Sequence, residues 1–514
     1  MIRSIAVLAA AVIGLAAATG VQAQTSSGTL TVAVPFEPQT LDSMSSTTDL
    51  VALITGSVLE PLYAFDAEWK PAPVLAAALP EISSDGTIVT IPVRTGLRFH
   101  DGSAMDSADV VASLERWLKL SPRGQVAGKV VTAIEAVDDA TVRLTLSKPF
   151  APLLPLLSFN TGAAVVFPEE VIAGNPDTPI ADDTKIVGTG VFKLAEHVPD
   201  QFVRLVKSDG YQSPEGEPSG FAGARAAEVD EIRFFPVPDA NTRLSALMSG
   251  QYDIVLGLSP ETYPQVSRNS ELAANIIRPS GWLLFVENTK EGPTANEKFR
   301  QAVQAALNHD DIMLAAYGLP DFYTVNASLY AEGTSFYSAA GAANYNQHDL
   351  DKAKALLAES GYNGEPFRLL TSQQYDFVFK AAVVASENLR AAGINVELVN
   401  LDWASMLQQR NDATTWEAFI SFFGFVPEPS LLATFNPTWY GWWDTPEKAS
   451  ALDAFTSAID PAERSAAWDN LQTLLLEQAP WIQLGAYAEL VAASASVEGL
   501  RPVPFLPLWN VSKP

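Results

Sequence analysis

Hydrophobic residues follow two different spacings along this chain. In residues 142–146 they alternate with polar residues, which predicts a strand with one buried face. In residues 110–118 they recur at helical spacing, and Asp106 with Asp109 before them forms a typical capping box. Apolar runs at 30–34 and 232–234 predict further strands. Strands and helices are therefore interleaved from the start of the chain.

The second half of the sequence is richer in predicted helix. We predict one helix from about residue 377 to residue 392, ending at Gly393, and another beginning at Asp460-Pro461. Asp349 is the predicted N-cap of a third, and Phe299 lies on the apolar face of a fourth. The interleaving continues throughout without internal repeats, low-complexity tracts or long linkers, so the predicted fold class is α/β with closely held lobes.

The sequence also predicts where two of the strands lie in the fold. The strand at residues 88–93 follows the hairpin turn Asp85-Gly86, and it contains Pro92. Because proline has no amide hydrogen to donate, we expect this strand to lie at a sheet edge. The apolar run at residues 282–288 predicts a strand that crosses between two lobes. Two or more lobes are also expected because 514 residues exceed the size of a single core.

The first residues are typical of a secretory signal. Arg3 precedes an apolar run at residues 5–18, and Val21-Gln22-Ala23 has small residues at the positions that a signal peptidase recognises. We predict a signal peptide over residues 1–23, with a buried N-terminal helix as the alternative. The run is too short for a membrane span. The absence of cysteine excludes a lipid anchor on cysteine, disulfides and thiolate catalysis.

Charge and motifs exclude several classes of function. A formal charge of −27 disfavours nucleic acid and anionic lipid as partners. Gly188-Thr189-Gly190 is followed by Lys193 where a dinucleotide motif has its third glycine. No nucleotide, zinc-protease or nucleophile-elbow motif is present. The histidines are scattered singly rather than at metal-ligand spacing, so we predict no metal and no cofactor; they are His100, His197, His309 and His348.

Five segments in a consistent order resemble one protein family. They are Leu97-Arg98-Phe99-His100-Asp101-Gly102 continuing to Arg116, Val187-Gly188-Thr189-Gly190-Val191-Phe192-Lys193-Leu194, residues 240–253, residues 288–308, and Asp460 to Arg464 followed by Ala479-Pro480. Together they resemble the oligopeptide/dipeptide group of periplasmic binding proteins, the extracellular family 5 solute-binding proteins of ABC importers. Within the segments we expect structural roles: backbone freedom at Gly102, close backbone approach at Gly188 and Gly190, and pairing of Arg300 with a carboxylate.

The resemblance implies a periplasmic-binding-protein fold with a ligand cleft between two lobes. The first lobe is expected at residues 24–281 plus 484–514 and the second at 282–483. Such a protein is a monomeric, non-enzymatic receptor in the periplasm. It captures a small solute, closes over it and docks on the membrane permease subunits of an ABC importer.

Trp403 and Arg410 match positions that line the cleft in peptide-binding relatives. The expected ligand-binding set also contains the aromatic loop residues and aromatics from other segments. It comprises Phe36, Trp282, Trp403, Arg410, Phe423, Gly424, Phe425, Trp443 and Tyr487. The alternative is that most of these aromatics fill the core of the second lobe.

In peptide-binding relatives a loop aspartate pairs with the free amino group of the peptide. Here the loop at residues 421–429 has no acid before Glu428-Pro429 nearer than Glu417. We therefore predict that no loop acid anchors a peptide amino terminus, and Asp402, Asp444 and Glu428 are the nearest substitutes in sequence.

The ligand class stays open between a peptide-like solute and a non-peptide such as an oligosaccharide or opine-like sugar conjugate, with metal chelates as a minor alternative. The competing function classes are a periplasmic hydrolase and a chaperone-like or sensory protein. A hydrolase would need a nucleophile and a base held together, and no such arrangement is visible in the sequence.

Overall fold

A computed structural model describes residues 28–513, so the predicted signal segment lies outside the described residues. In this range the strands are β1 Thr29–Val34, β2 Tyr63–Phe65, β3 Pro71–Pro73, β4 Glu81–Ile82, β5 Ile88–Pro92, β6 Val131–Asp138, β7 Thr141–Leu146, β8 Phe192–Val198, β9 Phe202–Lys207, β10 Glu231–Pro236, β11 Ile254–Leu258, β12 Leu272–Glu287, β13 Tyr323–Thr324, β14 Phe367–Thr371, β15 Val396–Asn400, β16 Ala418–Gly424 and β17 Trp481–Ser494.

The helices alternate with these strands. They are α1 Asp49–Thr55, α2 Ser107–Leu120, α3 Gly124–Ala127, α4 Leu153–Leu157, α5 Glu169–Gly174, α6 Ala240–Met248, α7 Tyr263–Ser267, α8 Glu297–Ala306, α9 His309–Tyr317, α10 Leu350–Ser360, α11 Asp376–Ala392, α12 Trp403–Gln409, α13 Pro446–Ser457 and α14 Pro461–Gln478.

One large mixed sheet runs through the molecule in the order β15–β14–β16–β12–β17–β11–β1–β10–β9–β8, with β13 paired to β17. The long strands β12 and β17 lie side by side in its middle, antiparallel to each other. On one side β12 pairs with β16, and on the other β17 pairs with β11. These two strands therefore connect the two lobes of the α/β fold, and the boundaries predicted at residues 281 and 484 fall inside them.

A smaller sheet has the order β4–β5–β7–β6. The hairpin predicted around Asp85-Gly86 joins β4 to β5, with Gly86 at a positive φ of 70°. The prediction that β5 is an edge strand is wrong, because it lies between β4 and β7. Pro92 is tolerated because β4 pairs only with Val89 and Thr90, so it ends before reaching the proline.

The predicted helix ends are confirmed. Asp106 and Asp109 form the capping box of α2, and Asp349 caps α10. Helix α11 ends at Gly393, which adopts the left-handed conformation that glycine favours. Helix α14 begins at Pro461, and the Asp460 side chain accepts the amide hydrogens of the first turn.

Two of the sequence segments lock together in the first lobe. His100 Nε2 lies 2.8 Å from the carbonyl oxygen of Gly190, and the His100 amide donates to the carbonyl of Gly188. A Cβ on Gly188 or Gly190 would lie 2.1 or 2.4 Å from backbone oxygens of residues 57–58, so both glycines are required for close approach. Thr189 between them donates to the buried Glu60 carboxylate at 2.8 Å. These segments are scaffold.

The expected pairing of Arg300 with a carboxylate is not found among the described residues. Its guanidinium donates to the carbonyl oxygens of Gln478, Thr294 and Ala295, and it makes no ion pair within 4 Å among the described residues. Glu287 is the nearby carboxyl whose charge it senses, but neither oxygen of Glu287 has a hydrogen-bond partner in the described part of the chain. The arginine ties α8 to the end of α14 through backbone groups instead.

Candidate functional site

A cavity of about 400 Å³ lies in the first lobe against the two crossing strands. Its walls come from β1 and α1 neighbours, from strands β11, β12 and β17, and from a C-terminal segment. The lining residues are Pro35 and Phe36 after β1, Thr47–Leu50 and Leu53 at and before α1, Leu256 and Gly257 of β11, Ile277 and Ser280 of β12, Glu489 and Val491 of β17, and Pro504–Leu506. Phe36, a predicted ligand residue, keeps 49% of its surface exposed beside this space.

Asp49 stands at the first position of α1 and lines the cavity. Its Oδ2 lies 3.7 Å from the place where a Cβ would stand on Gly424, at the end of β16 in the second lobe. The side chain is exposed to the cleft, yet the surrounding protein removes enough water to raise the pKa of Asp49 to about 6. The site therefore brings a carboxyl from one lobe close to the bare backbone of the other.

Arg123 is the cation whose charge acts on Asp49, but its donors are used elsewhere. Its guanidinium donates to the backbone and side-chain oxygens of Thr161 and lies 3.6 Å from the centre of the Phe159 ring. Burial lowers the pKa of Arg123 to about 10, although the charge of Asp49 acts in the opposite direction. The positive charge of Arg123 thus partly offsets the rise in the pKa of Asp49, but the two residues form no ion pair.

Glu489 is the second carboxyl of the cavity. It lies on β17, where the flanking Ala488 and Leu490 face the opposite way into the core. Its side chain is exposed to the cleft, yet burial raises the pKa of Glu489 to about 7, with a further contribution from the charge of Asp49. Among residues 28–513 neither carboxyl lies within 4 Å of a cationic group or accepts a hydrogen bond through its side chain.

Tyr487 stands two residues before Glu489 on the same face of β17. It pairs with Gly281 of β12, which pairs in turn with Gly424 of β16. The Tyr487 ring crosses over Gly281, because a Cβ there would lie 2.6 Å from the tyrosine hydroxyl. Tyr317 stacks on Tyr487 with ring centres 5.6 Å apart. The predicted residues Tyr487 and Gly424 therefore occupy one row across the sheet, next to the two carboxyls.

Aromatic rings continue this row into the second lobe. Tyr317 stacks on Phe377, Phe377 contacts Phe422, and Phe422 contacts Trp403 at 5.6 Å between ring centres. Trp403, predicted from the sequence, is half-buried at the far end of this row. It begins α12, whose N-cap is Asp402.

The opposite face of β16 carries a separate aromatic group. Phe423 contacts Trp439 at 5.4 Å, and the Arg410 guanidinium lies 4.0 Å from the centre of the Tyr440 ring. Burial lowers the pKa of Arg410, and its Nε has no hydrogen-bond partner among the described residues. Side chains alternate along β16, so Phe422 faces one side of the sheet and Phe419 and Phe423 face the other. Trp403 contacts Phe422, whereas the Arg410 guanidinium lies 5.8 Å from the centre of the Phe419 ring.

Three predicted ligand residues are core residues in this conformation. Trp282, Phe425 and Trp443 are 1%, 4% and 2% exposed. Trp282 and Phe425 pack on each other at 5.4 Å, and Phe425 also meets Trp69 of the first lobe at 4.6 Å. In this conformation protein covers their surfaces, as the alternative of a core role expects, and their assignment to the ligand stays a prediction.

The acids suggested as substitutes for a loop aspartate have other roles or positions. Glu428 is fully buried and pairs with Arg464 at 2.8 Å. Asp402 caps α12, and Asp444 is exposed beside Lys448. Asp49 and Glu489 were not identified from the sequence. Glu489 carried one signal, since it is a single acid in the otherwise apolar run 488–493.

Among residues 28–513, no helix is long and apolar enough to cross a membrane, and no three His, Asp or Glu side chains are grouped to hold a metal ion.

Several known proteins are similar to this chain. The probable peptide ABC transporter periplasmic-binding protein y4tO of Sinorhizobium fredii is 25% identical over 496 residues, covering 92% of this chain and 91% of that protein. The glutathione-binding protein GsiB of Pectobacterium atrosepticum is 27% identical over 497 residues, with coverage of 92% and 91%.

A solved structure supports the same relationship. The structure of AgaA in complex with agropinic acid, from A. tumefaciens R10, has a TM-score of 0.74 and 26% identity, covering 95% of this chain and 99% of that one. A family model for the middle region of the bacterial extracellular solute-binding proteins, family 5, matches residues 70–445. With more than half of its length matched, this chain belongs to the bacterial extracellular solute-binding proteins of family 5.

Proposed function

We propose that this protein is the periplasmic receptor of an ABC importer and that it captures a small solute in the cavity beside β12 and β17. The observation that carries the proposal is the cavity itself, with two enclosed carboxyls and aromatic walls next to the strands that join the lobes. Its volume of about 400 Å³ suits a small solute, since ligand pockets span roughly 300–1,000 Å³.

The proposed lobes are residues 24–281 plus 484–514 and residues 282–483. Ligand contacts made by both lobes would shift the population toward the closed form, which docks on the permease subunits. The lobes touch through Trp69 and Phe425, and the Ala151 amide donates to the Thr456 carbonyl at 2.8 Å. The receptor acts as a monomer and releases its ligand unchanged.

Two ligand classes are consistent with the relatives. The names of y4tO and GsiB point to peptides and glutathione, whereas AgaA was solved with agropinic acid. For this chain we propose a peptide-like solute or an opine-like sugar conjugate. The aromatic row from Tyr487 to Trp403 could cover the apolar face of either class.

Delivery to the periplasm rests on residues 1–23 as a cleaved signal. Mass spectrometry of the N-terminus of periplasmic protein should find residue 24 first. A retained N-terminus would contradict this part of the proposal.

Mass spectrometry of small molecules released by denaturing the freshly purified protein tests the receptor function. We expect an intact solute, and adding it back at about a hundred times its Kd should stabilise the fold by roughly 2.7 kcal/mol. A thermal-shift series with that solute measures the effect. Recovery of reaction products, with turnover of the parent compound, would favour a hydrolase instead.

A further inference from the structure

Resting on the receptor function proposed above, we propose that Asp49 and Glu489 together bind an ammonium group, so that the solute of this receptor carries a primary or secondary amine. The two carboxyls line the same cavity, one from α1 and one from β17. No cation of the described chain lies within 4 Å of either one. A ligand amine would supply the missing opposite charge.

The geometry leaves room for such a group between the lobes. Gly424 has no side chain, and Asp49 Oδ2 reaches to within 3.7 Å of the position that its Cβ would occupy. Gly281, opposite Gly424 in the sheet, is likewise bare and is covered by the Tyr487 ring. An ammonium beside Asp49 would therefore contact the backbone of β16 on one side and the tyrosine on the other.

Within the described chain, Arg123 is the one arginine whose charge acts on Asp49. Its hydrogen-bond donors are already used by other groups. Arg123 donates to Thr161 and packs over Phe159, and it has no ion pair with Asp49. Glu489 has no cation acting on it, and its charged neighbour is Asp49 itself. Two acids held together without a partner are costly unless something charged and positive joins them.

An independent observation comes from Tyr317. This residue is 8% exposed, and its hydroxyl has no hydrogen-bond partner among residues 28–513. The hydroxyl lies near Glu489, and the ring stacks on Tyr487. A buried hydroxyl without a partner is rare in folded proteins, and next to this carboxyl it marks a place where a ligand donor or acceptor completes the site.

Aromatic faces reinforce the preference for a cation. Phe36 lines the cavity with much of its ring exposed, and the half-buried Tyr487 stands two residues from Glu489 on the same face of β17. The negative face of an aromatic ring attracts an ammonium, whereas a carboxylate would be repelled by both the rings and the acids. Any anionic group of the solute must then bind at another part of the cleft.

The test uses two mixtures of probes on the mature protein. One is a tryptic hydrolysate of casein with added glutathione, and the other is the same mixture after complete N-acetylation. A third mixture contains disaccharides and sugar acids without nitrogen. Native mass spectrometry reports what the wild type, Asp49→Asn, Glu489→Gln and the double variant retain. Glu115→Gln and Asp351→Asn are matched controls, because both are exposed helix acids that form no ion pair within residues 28–513.

We expect the wild type and both controls to retain members of the untreated mixture only. Each cavity variant should bind them at least tenfold more weakly, and the double variant should retain none. Equal retention of acetylated probes, or unchanged binding in the double variant, would overturn the amine inference. Retention of the nitrogen-free mixture alone would overturn it while leaving the receptor function intact. Retention of nothing from any mixture would overturn both.

Discussion

Two aspartates seven positions apart in the first lobe behave in opposite ways. Asp42 is fully buried and pairs with Arg116, and it also accepts the amide hydrogens of Met44 and Ile180. Asp49 is enclosed by the cleft but has none of these partners. Folding supplies fixed donors for a charge that it needs to bury. Asp49 lines the cavity without such donors, so its carboxyl is accessible to a ligand.

The same contrast recurs in other parts of the molecule. Glu60 accepts hydrogen bonds from Thr189, Tyr211 and Arg225 at 2.7–2.8 Å. Glu489, on a central strand of the large sheet, accepts none through its side chain within the described chain. Buried carboxylates with a full set of donors therefore belong to the scaffold here, and those that face the cavity do not.

Removing the buried ion pair should produce the largest effect. Asp42→Ala leaves the Arg116 guanidinium buried without its counter-charge, so the free energy of unfolding should fall by about 3–5 kcal/mol. Urea unfolding measures the change. Asp49→Ala on the same segment is the control and should alter the free energy by less than about 1 kcal/mol. Similar losses in both variants would erase the contrast between the two aspartates.

Phe425→Ala separates a core role from a ligand role. Because the ring is buried against Trp282 and Trp69, its removal should lower the free energy of unfolding by about 3 kcal/mol. Phe36→Ala removes an exposed ring and should cost less than about 1 kcal/mol. If Phe425→Ala instead preserves stability and weakens binding of the co-purified solute, the aromatic loop contacts the ligand as the sequence suggested.

Asp49→Asn should stabilise the ligand-free protein in a pH-dependent way. The pKa of Asp49 is about 6 in the folded protein, against 3.8 ordinarily, so its ionised form is disfavoured by folding. That cost is complete above about pH 6 and is lost as the pH falls toward 4. The variant should therefore melt about 1 °C higher than wild type at pH 8 and equally at pH 4. Asp351→Asn should match the wild type at both values, and a pH-independent shift would contradict the assignment.

The smallest effect is expected at an exposed ion pair between the lobes. Lys148 Nζ lies 2.6 Å from Asp453 Oδ1, but the side chains are 51% and 64% exposed. Lys148→Met should change the free energy of unfolding by less than about 1 kcal/mol, because water and salt screen the pair. A loss above about 2 kcal/mol in differential scanning calorimetry would show that exposed pairs matter here as much as buried ones.

Local patterns predicted the elements well because their causes are local. The capping box at Asp106, the glycine end of α11 and the proline start of α14 all depend on residues within a turn of each other. The prediction for β5 was wrong because pairing with β4 depends on a partner outside that strand. For the same reason the partners of Arg300, which are carbonyl groups far along the chain, could not be read from its surroundings.

The sequence by itself determined the α/β class, the ends of the principal helices and the resemblance to the binding-protein family. It also shows that no acid stands at residues 421–427, and that no loop acid anchors a peptide amino terminus stays a prediction. Only the tertiary structure decided which side chains meet. It buried Trp282, Phe425 and Trp443, placed Arg410 and Trp403 on opposite faces of β16, and brought Asp49 and Glu489 together across 440 positions of the sequence. Helix caps depend on neighbours along the chain, whereas the charge of a site depends on neighbours in space.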